Sequence, residues 1–170
     1  SRAPILALNP FFYFLHVSHP QTLRMVCNDS ISEVSVAAGD VLFSCGDASD
    51  RMLFVDDGRF TYKPGVTRAS TALSKVQADS FEARPVESVR VKRHCFLSEG
   101  SLWMFWKNAG ELTACKDSSL FVLAAEAFCC VMSLYPDAHR RGSRYAEIFV
   151  ELVLENGPTD LPLDWHVGAE

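Results

Sequence analysis

The sequence predicts a mainly β domain: a jelly-roll-like β roll of about eight strands, with flanking helices, a short helix inside the roll and two closing helices. Three observations predict it. From residue 31 onward, short runs rich in β-branched and aromatic residues alternate with turn residues at roughly 8–12-residue spacing. A short helical stretch at 99–103 interrupts the late strands. Beyond residue 124 the apolar spacing becomes that of a helix.

The elements follow in order. Residues 10–27 carry Phe11, Phe12, Tyr13, Phe14 and Leu15, then Leu23, Met25 and Val26, with Pro20 between. This reads as short helical turns whose aromatics pack into a core. Residues 31–36 read as a strand ending at Gly39-Asp40, and 41–43 as a second. After the turn Cys45-Gly46-Asp47-Ala48, residues 52–55 form a third strand, and Asp56-Asp57-Gly58 signals a tight hairpin into a fourth at 59–62. Residues 66–88 are polar and poorly patterned, a long excursion between strands. Strand pattern resumes at 89–91, and the last strands are 111–114 and 120–123. Residues 124–134 read as a helix stopped by Pro136. A second helix is expected from about Ser143, because Tyr145, Ile148, Phe149, Leu152 and Val153 share one face. Asn156-Gly157-Pro158 stops it. The chain thus divides into a helical lead-in at 1–30, the roll at 31–123, C-terminal helices at 124–157 and a tail at 158–170.

Composition narrows the function. Hydrophobic residues make up 48% of the 170 and charged residues 22%, enough for a core without metal or disulfide staples. The net charge of −5 argues against nucleic-acid binding. The basic clusters Arg90-Lys92-Arg93 and Arg140-Arg141-Arg144 read first as solvated surface and second as a phosphate or anionic-lipid contact. The six cysteines (Cys27, Cys45, Cys95, Cys115, Cys129, Cys130) show no CxxC spacing and read as free, buried small hydrophobes in a reducing compartment. The longest apolar stretch, 120–135, is too short and contains Glu126, so no membrane span is expected. There is no signal-peptide pattern and no initial Met, which suits a cytoplasmic segment of a longer protein.

Several short motifs share an order. Gly39-Asp40-Val41-Leu42-Phe43, followed by Cys45-Gly46-Asp47, forms one. Met52-Leu53-Phe54-Val55-Asp56-Asp57-Gly58-Arg59 forms the next, then Leu97-Ser98-Glu99-Gly100-Ser101-Leu102. Ala114 stands six residues before Leu120. Together, from Ile31 to Phe128, they resemble the cyclic nucleotide-binding domain family, with the third motif at the place of its phosphate-binding cassette. The resemblance implies a site at Leu97, Ser98, Glu99, Gly100, Ser101, Asn108 and Ala109, with cAMP or cGMP as the ligand and no cofactor. In the family, a helix N-terminus offers N–H groups to the cyclic phosphate. The cassette glutamate takes the ribose hydroxyl, and an arginine nine residues later completes the phosphate contact.

This chain departs from that pattern. Glu99 holds the glutamate position, but Asn108 stands where arginine is usual, and Ser98 where glycine is usual. Losing a charge-assisted bond costs about 1.5–3 kcal/mol, or about one to two orders of magnitude in affinity. Trp103, Phe105 and Trp106 add rings able to fill the cavity. Lys107 neighbours Asn108 but points to the opposite face of a strand; Arg90 and Arg93 are the other candidate cations, and sequence alone does not place them.

The run from Trp103 through Trp106 to Gly110-Glu111-Leu112-Thr113-Ala114 also resembles a protist variety of the domain, often attached behind the pore of voltage-gated potassium channels. That likeness implies a cytoplasmic gating module whose closing helix couples to the gate. Its partners would be parent-chain or neighbouring-subunit segments. Relatives with a degenerate cassette still regulate gating, sometimes with their own residues in the pocket. The alternative is a working cAMP or cGMP sensor with a non-standard phosphate contact, in a channel or a kinase regulatory protein.

Enzyme chemistry finds no support in the residues. There is no H-x-H pair for a cupin metal, no G-x-S-x-G elbow, no P-loop and no G-x-G-x-x-G. His16 and His19 read as loop or cap residues, and His94-Cys95 as a strand-edge pair. Glu126 is expected to face solvent while Phe128 faces the core.

Overall fold

Prolines set the helix starts at both ends of the domain. The computed structural model describes residues 2–65 and 87–163. Three helices lead in: α1 (Ala3–Leu6), α2 (Pro10–Ser18) and α3 (Pro20–Asp29). Pro10 and Pro20 each occupy a first helical position, where a missing N–H costs nothing. Asn9 caps α2, its Oδ1 accepting from Phe11 N (3.0 Å) and Phe12 N (3.4 Å).

Among the described residues ten strands follow: β1 (Ile31–Val36), β2 (Val41–Phe43), β3 (Ala48–Ser49), β4 (Arg51–Asp57), β5 (Arg59–Pro64), β6 (Val89–Lys92), β7 (Phe96–Leu97), β8 (Trp106–Lys107), β9 (Gly110–Ala114) and β10 (Ser118–Ala124). A single turn of helix, α4 (Gly100–Trp103), sits between β7 and β8. All pairing is antiparallel. One sheet runs β1-β10-β4-β7, the other β2-β9-β5-β6, and β3 pairs with β8. The sequence reading gave no range to β3, β7 or β8, each two residues long and too short to show a period.

The expected hairpin at Gly58 is not one. β4 and β5 lie in different sheets, so Gly58 is a corner where the chain changes sheet. Its φ of 120° suits glycine, and a Cβ there would collide with Ser118, beside the irregularity in β10 at Ser119/Leu120.

Alternation along the central strands builds two cores. Leu53 and Val55 of β4 face into the roll with Phe43, Phe60, Tyr62, Leu97, Leu112 and Leu120. Met52 and Phe54 face outward with Phe121 and Leu123 of β10, and the helices cover that face through Phe11, Phe12, Leu15, Leu23 and Phe128. A strand buried on both faces reads as a continuous apolar run, as Met52-Leu53-Phe54-Val55 does.

Two helices close the domain, α5 (Ala125–Ser133) and α6 (Pro136–Asn156). The last helix begins seven residues before the expected Ser143, because Pro136 both ends the preceding helix and starts the next. Phe149 and Val153 pack on Trp106, and Tyr145 packs on Trp103 and Phe11. Glu126 is exposed and Phe128 buried.

The cysteine reading needs correction. All six are free, but only Cys27 is buried; Cys95 is half-buried and the other four are exposed. Phe128, Val131 and Met132 occupy the inward stripe of α5, which turns Cys129 and Cys130 outward. The polar excursion at 66–88 lies outside the described residues except at 87 and 88. Of the tail at 158–170, residues 158–163 are described.

Candidate functional site

The cassette positions form two groups facing different neighbours. Ser98 follows β7 in the left-handed region (φ 58°), which gives a physical reason for glycine at that place in the family. Its side chain is held by polar contacts. Ser98 Oγ lies 3.1 Å from Asn108 Oδ1 and 3.2 Å from Asp160 Oδ1. Asn108 is buried, its N–H donating to Asp47 O and its carbonyl accepting from Gly46 N, both at 2.8 Å.

Asp160 is the residue the sequence reading missed. Gly157, at φ 83°, ends α6, and Pro158 follows it. The chain then returns to the roll, leaving Asp160 only 1% exposed. Its Oδ1 accepts from Trp106 Nε1 (2.8 Å) and Ser98 Oγ (3.2 Å). Its Oδ2 accepts from Ala109 N (2.7 Å), Gly110 N (3.1 Å) and Tyr62 Oη (3.1 Å). Ser98 N donates to the Asp160 carbonyl at 2.8 Å. Burial raises the Asp160 pKa, and the hydrogen bonds from Trp106, Ala109, Tyr62 and Ser98 oppose the rise. A carboxylate ringed by donors is matched to its ionised, acceptor-only form. Burial, and after it the Asp160 carboxylate, raises the Tyr62 phenol pKa.

Glu99 turns the other way. It is 5% exposed, and its Oε1 accepts from Tyr145 Oη of α6 (2.7 Å) and Trp103 Nε1 (3.2 Å). Burial raises its pKa, opposed by Tyr145, Asn9 and Trp103. Asn9 thus favours the ionised form, yet neither Asn9 Nδ2 nor Glu99 Oε2 has a partner at hydrogen-bonding distance and angle. The carboxyl expected to meet a ribose is committed to the closing helix.

The remaining positions are structural neighbours of these two groups. Leu97 is in the roll core, and Ser101 Oγ donates to Ser49 Oγ at 2.9 Å. A Cβ at Gly100 would overlap the Trp106 ring. The aromatic residues behave unequally. Trp106 is buried against α6, Trp103 is sandwiched among Phe11, Phe128 and Tyr145, and Phe105 is 82% exposed and fills nothing. Lys107, Arg90 and Arg93 are all exposed, and none of them bonds to the cassette.

Beside Ser98 and Asn108 lies a cavity of about 90 Å³, also lined by Phe43, Asp47, Ser49 and Arg51. Drug-sized ligands occupy pockets of roughly 300–1,000 Å³, so a nucleotide does not fit this cavity as it stands. An adjoining cleft of about 270 Å³ shares Leu42, Arg51 and Leu53 with it. No group of metal-ligating side chains occurs among the described residues, and none of their helices is long and apolar enough to cross a membrane.

A signal for Asp160 was present in the sequence. Asp160-Leu161-Pro162-Leu163 sets leucines around an acid, and a solvated tail has no use for leucines. Leu161 packs against the roll core and Leu163 against Trp106 and α6.

No family model and no curated protein sequence matches the chain. Solved structures do match. A cyclic nucleotide-binding-like protein from Brucella abortus is 14% identical, with 77% of this chain and 97% of that chain covered, at a TM-score of 0.58. The N-terminal domain of a transcriptional regulator from Streptomyces coelicolor is 21% identical over 93% and 99%, at 0.60. PfPKA-R in its cAMP-bound form is 18% identical over 79% of this chain and 44% of that one, at 0.57. At these identities the likeness establishes the fold: a cyclic nucleotide-binding-like β roll with flanking helices.

Proposed function

We propose that this domain is a regulatory module of the cyclic nucleotide-binding type with weakened or lost nucleotide binding, and that it signals through the position of α6. The observation that carries this is the Asp160 carboxylate seated on Ser98, Ala109 and Gly110, at the cassette. A cyclic phosphate brought there meets a like charge, finds Asn108 in place of a cation, and must take Glu99 from Tyr145. Glu99 and Trp106 tie the cassette to α6, so opening the cassette and moving the helix are one event. The regulatory role is non-enzymatic, and the setting is a cytoplasmic gating module of a voltage-gated or cyclic nucleotide-gated potassium channel. Sequence resemblance supports that setting.

The test is calorimetric titration of cAMP and cGMP into the wild type, Asn108→Arg, and Asn108→Arg/Asp160→Ala. The wild type is expected to show no binding heat. Asn108→Arg alone is expected to pair with Asp160 and gain little. The double variant, with the cation present and the competing carboxylate gone, is expected to gain about one to two orders of magnitude in affinity. Micromolar binding by the wild type would overturn the reading.

One observation favours the alternative of a working sensor. Arg51 lines both the small cavity and the adjoining cleft, where it offers a non-standard phosphate contact. Asp40, Asp47 and Asp50 line the same walls and oppose an anion. Nucleotide binding that is abolished by Arg51→Ala would establish the alternative.

A further inference from the structure

A separate cavity of about 160 Å³ lies where α4, α5 and α6 meet, and it shares no residue with the cavity beside Ser98 and Asn108. Its buried floor is Leu102 of α4, Phe128 and Met132 of α5, and Gly142 of α6. Trp103 forms a wall, its ring edge-to-face with Phe128 at 5.6 Å and its Nε1 donating to Glu99 at 3.2 Å. His139 and Ser143 of α6 also line the cavity and are exposed, so it opens to solvent beside polar groups.

The fold does not require a glycine at 142. Gly142 lies inside α6, where glycine is less stable than alanine. A Cβ there would stand 3.4 Å from Met132 Cε and 3.4 Å from Phe11 Cζ, an ordinary van der Waals distance. Stability alone would favour alanine, and glycine leaves the cavity wider. Size and lining then select the occupant. An apolar cavity of about 150 Å³ takes up a benzene ring, whereas pockets for drug-sized ligands run to roughly 300–1,000 Å³. Two aromatic rings and a thioether offer the contacts an aromatic ring prefers. Among the described residues lining the cavity there is no Asp, Glu, Lys or Arg, so a charged ligand would lose its hydration without a partner.

We propose that this cavity binds a neutral, single-ring aromatic molecule carrying one hydrogen-bonding group, and that the occupant pins α6 against α4 and α5. The ring lies against Trp103, Phe128 and Met132, and the polar group faces His139 and Ser143. Three helices supply the walls, so affinity depends on α6 being docked, and that difference lets the ligand shift the equilibrium. Trp103 couples the cavity to the cassette, because it donates to the same Glu99 oxygen that accepts from Tyr145 of α6. This deepens the regulatory reading and rests on it for α6 being the element that signals; the site itself does not depend on nucleotide.

The experiment titrates 4-fluorobenzyl alcohol into the full chain and follows its fluorine resonance. The wild type is expected to give a saturable shift with a dissociation constant of about 1 mM or tighter. Gly142→Ala is expected to weaken binding about tenfold or more while raising the thermal midpoint by about 2–4 °C. A variant that folds better and binds worse separates a ligand site from a packing defect. Ala146→Leu fills the cavity from the next turn of α6 and is expected to weaken binding similarly; it serves if Gly142→Ala does not fold. 4-Fluorobenzoate is expected to bind about tenfold or more weakly than the alcohol. At ten times the dissociation constant, hydrogen exchange of the α6 amides is expected to slow by about tenfold. No saturable shift in the wild type would overturn the proposal, as would unchanged affinity in the cavity-filling variants or equal affinity for 4-fluorobenzoate. Binding that leaves α6 exchange unchanged would overturn the pinning of the helix. Micromolar cAMP binding by the wild type defeats the reading of lost nucleotide binding and leaves these titrations as they are, so the two failures are distinct.

Discussion

Replacing Asp160 by alanine removes one side chain and five hydrogen bonds at once. The bonds from Ala109 N (2.7 Å) and Trp106 Nε1 (2.8 Å) have the length of charge-assisted contacts. Such bonds are worth about 1.5–3 kcal/mol each, and they are not additive. Some of the loss is recovered, because residues 158–163, a strap behind α6, can swing out and let water reach the exposed donors. Leu161 and Leu163 lose part of their burial in the same movement, which acts in the opposite direction. Taking the two short bonds near the lower end of their range gives a destabilisation of about 3 kcal/mol. With a urea m-value of about 2 kcal/mol/M, the unfolding midpoint falls by about 1.5 M. The assay is urea unfolding followed by tryptophan fluorescence, with Asp160→Asn expected between the variant and the wild type. A midpoint shift below about 0.3 M, well under what one such bond predicts, would refute the reasoning. The strap would then contribute little to the fold.

Glu99 and Asp160 both have folded-state pKa values raised by burial. Their contribution is therefore most favourable below the unfolded carboxylate pKa and is lost as pH rises through the folded values. Glu99→Gln is expected to flatten the fall in stability between pH 4 and 8, measured as the urea midpoint across that range; an unchanged slope would count against a buried titrating carboxyl. Gly100→Ala places a methyl against the buried Trp106 ring. It is expected to destabilise the domain by about 1–3 kcal/mol and to shift the Trp106 indole N–H resonance toward that of Asp160→Ala. Gly58→Ala combines a φ of 120° with a clash on Ser118. It is expected to cost about 2 kcal/mol or more in a thermal or urea melt, and a neutral result would mean that the β4–β5 corner relaxes freely.

The roll was legible in the sequence because local pattern carries it. The run Met52-Leu53-Phe54-Val55 announces a strand buried on both faces, and Gly39-Asp40, Gly46-Asp47 and Gly58 mark places where the chain must turn. The order of those signals with the cassette sufficed for the fold. They did not fix which strands pair. Gly58 reads equally well as a hairpin and as a corner, and only the partners β10 and β9, far along the chain, separate the two. Pro136 likewise reads as a stop or a start, depending on whether an apolar face beyond it has something to cover.

The candidate site divides along the same line. Sequence by itself assigned Glu99, Ser98 and Asn108 to cassette positions by resemblance, and determined that Asn108, not arginine, stands nine residues after Glu99. It could not determine where Glu99 points, because that rests on Tyr145, 46 residues away. Nor could it place Asp160 against Tyr62, 98 residues earlier. Hydrogen bonds between positions so distant leave no periodicity for a sequence to show. A buried carboxylate must find donors wherever the fold supplies them, and only the folded chain brought Tyr62, Ser98, Trp106, Ala109 and Gly110 around one acid.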